Sequence, residues 1–293
     1  MGKGVVRVSV VIVTYNSTGL LKECLDSIFF YNDIGEQLEV LVVDNNSQDI
    51  DKLKRLIVSE ANSVRLIENT INGGYGQGNN LGIREALGDI IMIMNPDVRL
   101  RESIFNKAIK RLDSAANCVL LGMKQWDTNL NRGESYRMDD PYSFFLKDIV
   151  TVKISNMLDC FDPSRMYISG ACFFVKKQEF ELVGLFDEKI FMYYEECDIK
   201  RRIINTFGKG SIRYDKKLSY IHAHPCVKFD SKSDKRLLDS LMYFSQKYNL
   251  NLDKVKRKAK ENRMFFRCLS KLKGDRFSVS EYEKSISYLE ELQ

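Results

Sequence analysis

Proline is nearly absent, with four residues in a chain of 293, which argues against proline-rich linkers or a collagen-like design. Long apolar runs are missing too. The longest, Val10 to Val13 and Ile90 to Met94, have the length of a buried strand, against roughly 20 residues for a membrane-spanning helix. The first residues, Met1-Gly2-Lys3-Gly4-Val5-Val6, lack a secretory layout, and Val6 stands where a myristoylation motif requires Ser or Thr. A cytoplasmic chain is expected. The seven cysteines contain no Cys-x-x-Cys pair, the nearest two being Cys160 and Cys172. That excludes zinc-knuckle spacing and leaves reduced cysteines packed as small hydrophobes. Charge of one sign is in slight excess, 45 basic against 40 acidic residues for a net +5, which names no partner by itself. Histidine is scarce, with only His222 and His224.

What is present is a rhythm. Val8 to Val13 is β-branched and almost continuously apolar, as a strand covered on both faces must be. Leu21, Cys24, Leu25, Ile28 and Phe29 then recur at helical spacing. Val40 to Val43 is a second buried strand ending at Asp44, Asp49 to Glu60 a helix, and Val64 to Ile67 a third strand. A Gly/Asn-rich loop leads to a helix near Asn80 to Leu87, and Ile90 to Met94 is a fourth strand running into Asn95-Pro96-Asp97. This alternation predicts an α/β fold with a doubly wound, mostly parallel, Rossmann-like sheet. Further on, Ser103 to Leu112 reads as a helix, Val119 to Met123 and Ala171 to Val175 as strands, and Glu195 to Phe207 as a helix. Residues 127 to 165 read as loops over a site. From about Lys232 the chain is helical and basic, so the expected division is 1–228 for the α/β domain and 229–293 for a helical extension.

Ligands of open α/β sheets sit beyond the carboxyl ends of the strands. Three such ends carry polar clusters here: Thr14-Tyr15-Asn16, Asp44-Asn45-Asn46-Ser47 and Asn95-Pro96-Asp97. A single acid there reads equally well as a helix cap, but three need a common neighbourhood that capping does not supply. The first turn has no glycine, which excludes the dinucleotide fingerprint. The glycines come later, in Asn72-Gly73-Gly74-Tyr75-Gly76-Gln77-Gly78-Asn79-Asn80, with no Walker lysine after them. That stretch reads as a loop closing over a bound nucleotide.

Those segments, followed in order by Ser169-Gly170-Ala171-Cys172, Val183-Gly184-Leu185-Phe186-Asp187-Glu188 and Tyr193-Tyr194-Glu195-Glu196-Cys197-Asp198, resemble the family 2 glycosyltransferases over roughly residues 8 to 224. The likeness is greatest to bacterial rhamnosyltransferase-like and galactofuranosyltransferase-like members. It implies a GT-A fold and inverting transfer from a dTDP- or UDP-sugar to a saccharide or lipid-linked acceptor in surface polysaccharide synthesis. It assigns Thr14, Tyr15, Asn16, Asp44, Asn46, Gly74, Tyr75, Asn79 and Asn95 to the donor. Asp97 matches the last acid of the family's Asp-x-Asp metal motif, with Asn95 replacing the first, and His222, which aligns better than His224, matches a histidine that in some members ligates the metal or touches diphosphate. Mg or Mn is the implied cation, since hard ions prefer oxygen donors. Glu196 falls on the general base, where the family has aspartate, and Asp198 belongs with it or pairs with Arg201 or Arg202. The alternative is a sugar-nucleotide-binding module without catalysis.

Between Lys254 and Lys273 there are nine basic residues and one acid, Glu261, interleaved with apolar ones. This reads as a basic amphipathic helix for peripheral contact with anionic membrane. It lacks the aromatic platforms or motifs of a nucleic-acid-binding fold.

Overall fold

The computed structural model describes residues 5–59, 64–115, 117–143, 145–223 and 229–292. Strand β1 (Val8–Thr14), helix α1 (Thr18–Phe30), β2 (Leu38–Asp44), α2 (Ile50–Ser59), β3 (Val64–Glu68), α3 (Gly74–Glu85) and β4 (Ile90–Met94) alternate as the apolar spacing predicts. The strands are apolar on both faces because both are covered. Val10 and Ile12 pack with Leu21 and Leu25 of α1, while Val11 packs on the other side with Ile83 of α3. β1 runs parallel to β2 and β4, and β2 parallel to β3. In this register Thr14 lies opposite Asp44, so backbone pairing alone makes neighbours of the polar residues ending the two strands.

The chain continues through β5 (Val98–Leu100), α4 (Phe105–Ser114), β6 (Leu120–Trp126), β7 (Tyr136–Met138), α5 (Phe145–Leu158), β8 (Met166–Ile168), β9 (Cys172–Lys176), α6 (Lys177–Leu182), α7 (Glu195–Phe207) and β10 (Ile212–His222). It ends in α8 (Ser231–Lys247), α9 (Leu252–Leu272) and α10 (Arg276–Glu291). The main sheet has the order β3-β2-β1-β4-β9-β6-β10-β5. β9 runs antiparallel to β4 and β6, β10 parallel to β6, and β5 antiparallel to β10 at the edge. The expected parallel winding thus describes the first half, and the second half is mixed.

Two expectations are corrected. The Gly-rich stretch is no loop: helix α3 starts at Gly74, six residues before the predicted helix. Its glycines let the helix lie directly on the strand ends. A Cβ at Gly78 would stand 2.8 Å from Val13 Cγ1, and one at Gly82 2.4 Å from Val11 Cγ1. Intrinsic propensity disfavours glycine in a helix, but here close packing outweighs it. The second correction concerns residues 127 to 165, which hold strand β7, paired with β8 just beyond them, and helix α5 rather than loops alone.

Helices α8 to α10 enclose a small core of Leu238, Leu241, Val255, Ala259 and Leu289. Asp230, Asn251 and Asp275 cap their amino ends through side-chain acceptors. The basic run lies on α9, and its cations meet acids of the same region: Lys260 with Glu290, Arg263 with Asp234, Arg267 and Lys271 with Glu283. Among the described residues no helix is long and apolar enough to cross a membrane.

Gly82→Ala is expected to lower stability by about 1–3 kcal/mol through overpacking against Val11. Gly210→Ala, where nothing lies within 4 Å of a new Cβ, should stay within about 0.5 kcal/mol. Urea denaturation of both variants checks the contrast.

Candidate active site

At the carboxyl ends of β1 and β2, Thr14 is 1% and Asp44 2% exposed. Asp44 Oδ2 accepts the Ser47 N–H at 3.0 Å, capping the turn that follows. Its Oδ1 and the Thr14 hydroxyl are buried without a hydrogen-bond partner. Two adjacent orphaned oxygens are costly in a folded chain, and a ligand hydroxyl or N–H would satisfy them. The turns around them are held locally. Asn16 (φ 53°) and Asn46 (φ 64°) adopt the left-handed conformation asparagine tolerates. The Asn16 N–H donates to Ser47 Oγ at 2.8 Å, and Asn16 Oδ1 accepts from the Gln48 N–H at 2.8 Å. Tyr15 and Asn46 are exposed beside them.

The other expected donor residues sit differently. Gly74 packs under the backbone of residue 191, where a Cβ would stand 2.0 Å from Phe191 O. The Tyr75 hydroxyl donates to Gly170 O at 2.6 Å, and Asn79 Nδ2 to Tyr75 O at 2.9 Å. Asn45 joins the two groups, its Nδ2 donating to Gly74 O at 2.8 Å. Its burial between cap and helix was not apparent from spacing.

The turn after β4 brings two expected metal ligands together. The Asn95 carbonyl accepts from the Val98 N–H, and β5 then pairs with β10 so that Val98 lies opposite His222. His222 Nε2 stands 3.2 Å from Asp97 Oδ1. Among the described residues no three His, Cys, Asp or Glu side chains converge as a metal cluster, so the protein offers one carboxylate and one imidazole here. His224 lies outside the described residues.

Helix α7 starts at the predicted Glu195, after Tyr193 (φ 70°) and Tyr194 (φ 69°) in the left-handed region. For bulky residues that conformation costs about 1–2 kcal/mol each. The turn brings Glu196 to the segment leading into β9. Half-buried Glu196 accepts the Gly170 N–H at 3.1 Å through Oε1, and a Cβ on Gly170 would strike that oxygen at 2.4 Å. Burial raises the Glu196 carboxyl above its ordinary value, although hydrogen bonding and the Arg137 charge pull it back. Glu195 is 4% exposed with Oε2 unpartnered. Its burial, then the Glu196 charge, push it well above the usual carboxylate range. Nothing in the sequence singled Glu195 out from its neighbour.

Asp198 is fully buried, with Arg202 Nη2 at 2.7 Å, Lys247 Nζ at 2.5 Å and the Tyr248 hydroxyl donating at 2.9 Å. Asp198 and Glu196 therefore face different surroundings, as residues two apart on a helix must.

The family described as glycosyl transferase family 2 matches residues 9–174. A low-salt glycan biosynthesis hexosyltransferase, Agl10 of Haloferax volcanii, is 24% identical over 202 residues, covering 65% of this chain and 59% of that protein. An N-acetylglucosaminyl-diphospho-decaprenol L-rhamnosyltransferase of Mycobacterium tuberculosis is 25% identical over 217 residues, 66% of this chain and 69% of its own length. Among solved structures, the mannosyltransferase PcManGT of Pyrobaculum calidifontis, in complex with GDP-Man and Mn2+, has a TM-score of 0.62 at 17% identity, covering 96% of this chain and 85% of that one. That likeness shows the fold, which is GT-A.

Asp198→Ala should cost about 1–3 kcal/mol by removing the carboxylate that half-buried Arg202 and the Tyr248 hydroxyl share, while Lys247 keeps Asp187; chemical denaturation measures it. Glu195 yields a pH test. Its folded-state value is raised, so above the ordinary carboxylate range the unfolded chain holds fewer protons and stability falls as pH rises toward the folded value. Glu195→Gln should flatten the fall in Tm as pH rises above the ordinary carboxylate range; an unchanged slope would show that Glu195 is not its source.

Proposed function

The chain belongs to glycosyl transferase family 2, and we propose that it moves a hexose, with rhamnose the first candidate, from a dTDP- or UDP-sugar to a saccharide or lipid-linked saccharide hydroxyl, inverting the anomeric carbon. The observation that carries this reading is the coupling of the acidic helix to the Asn95-Pro96-Asp97 turn. The Asn95 N–H donates to Ala171 O at 2.9 Å, and the adjacent Gly170 N–H holds Glu196 at 3.1 Å. One backbone step thus separates the support of a carboxylate from that of the turn bearing Asp97.

In this reading the orphaned Asp44 and Thr14 oxygens bind the nucleoside, and Asp97 with His222 holds a divalent cation. A carboxylate oxygen and an imidazole nitrogen at 3.2 Å are a donor pair that would hold a divalent cation such as Mn or Mg. When bound, the cation neutralises charge on the departing diphosphate. Asn95 lowers the negative charge at that turn by one relative to an Asp-x-Asp pair. Glu196 takes the acceptor proton, and its raised affinity for protons moves it toward the range where a base works best near neutral pH.

Glu196→Ala and Asp97→Ala are each expected to lower donor turnover by about 10²-fold or more, and chelation of divalent metal should do likewise. Thermal shift with Mn and a panel of UDP-, dTDP- and GDP-sugars should still register donor binding by Glu196→Ala. Turnover equal to wild type in both variants refutes the mechanism, and donor binding without turnover in wild type favours a binding module.

A further inference from the structure

Helix α5 turns a polar side chain inward and its apolar ones outward. Asn156, 2% exposed, is the inner latch. Its Oδ1 accepts the Ser135 N–H at 2.8 Å, and its Nδ2 donates to Tyr136 O at 3.0 Å and Val152 O at 2.9 Å. The Tyr136 hydroxyl adds a bond to Ser155 O at 2.7 Å. With its rotation set by these bonds, the helix leaves Leu146 (42%), Ile149 (41%), Val150 (55%), Ile154 (51%), Met157 (63%) and Leu158 (66%) exposed. Leu146, Val150, Ile154 and Leu158 recur every fourth residue, forming one stripe. A contiguous apolar surface of this kind marks an interaction site.

The surroundings of the stripe identify its partner. Lys147 and Lys153 are exposed on the same helix. At its carboxyl end stands Trp126, with Arg101 at 5.4 Å, Lys124 at 5.7 Å and Arg132 at 5.4 Å from the ring centre. Lys124 and Arg132 share Asp159, the residue that follows the helix. An apolar stripe bordered by lysine, arginine and tryptophan is the composition of a helix lying in an anionic bilayer surface. The cluster also adjoins the candidate active site. Gln125, before Trp126, accepts from the Tyr220 hydroxyl at 3.0 Å and lies 3.4 Å from the hydroxyl of Ser169, which precedes the Gly170 that holds Glu196.

We propose that the outward face of α5, with the Trp126 cations at its end, docks on an anionic bilayer and sets the active site at the lipid surface. This moves membrane contact from α9, where Lys260, Arg263, Arg267 and Lys271 are met by acids of the same region, to a different element. It deepens the reading of a lipid-linked acceptor but stands on residues outside the donor and base machinery.

The test is flotation of the full chain with phosphatidylcholine vesicles, with and without phosphatidylglycerol, alongside donor hydrolysis in the same preparations. Wild type should float with the anionic vesicles. The triple variant Val150→Asp, Ile154→Asp, Met157→Asp should bind at least ten-fold less, with unchanged Tm and donor hydrolysis. Lys254→Glu with Arg257→Glu on α9 should float as wild type does. The proposal is overturned if wild type does not float, if the α5 variant floats equally, or if binding is lost only with the α9 changes. A wild-type dimer made monomeric by the α5 changes, with no vesicle binding, would assign the face to self-association instead. Loss of flotation with hydrolysis intact, or hydrolysis absent with flotation intact, separates failure of this inference from failure of the enzymatic one.

Discussion

The carboxylate of Asp198, fully buried among Arg202, Lys247 and the Tyr248 hydroxyl, sets the rotation of helix α7. Lone buried charges are expensive, and each partner here answers part of that cost. Two of the three groups come from α8 and the residue just after it. With Asp198 turned toward α8, helical geometry turns Glu196 toward Gly170. The same helix steadies the strained entry to α7, where Tyr194 packs against Phe244 at 5.2 Å between ring centres and Ser240 Oγ donates to Met192 O at 2.7 Å. The carboxyl-terminal helices, expected as an appendage, therefore brace the acidic segment.

Much of this was legible in the sequence because it depends on local spacing. Buried strands read as apolar runs, and Thr14 and Asp44 meet because both end such runs in a parallel register. Asp97 and His222 lie far apart in sequence, and only the pairing of β5 with β10 brings them together. Helix α3 was hidden because its glycines, poor helix formers, are selected by contact with Val11, Val13 and Phe186, a tertiary demand that outweighs propensity. Helix α5 was hidden for the opposite reason: its apolar residues are plentiful, but they face outward, so they mark no core. Glu195 and Glu196 are identical in type and adjacent, and burial and hydrogen bonding alone distinguish them.

The three acids of the first turn of α7 thus occupy three environments that their types would not separate. All gain from the helix amino terminus, where negative charge is favoured. Asp198 is committed to cations, its oxygens already engaged by Arg202, Lys247 and the Tyr248 hydroxyl. Glu195 is enclosed and biased toward its neutral form, which keeps a second full charge from crowding its neighbour. Glu196 alone combines partial access to solvent with a single backbone donor at 3.1 Å, leaving its carboxylate able to accept from an incoming hydroxyl. In the proposed reaction the base is then selected by what surrounds each acid. The longer Glu196 side chain is accommodated because Gly170 leaves the room that any Cβ would fill.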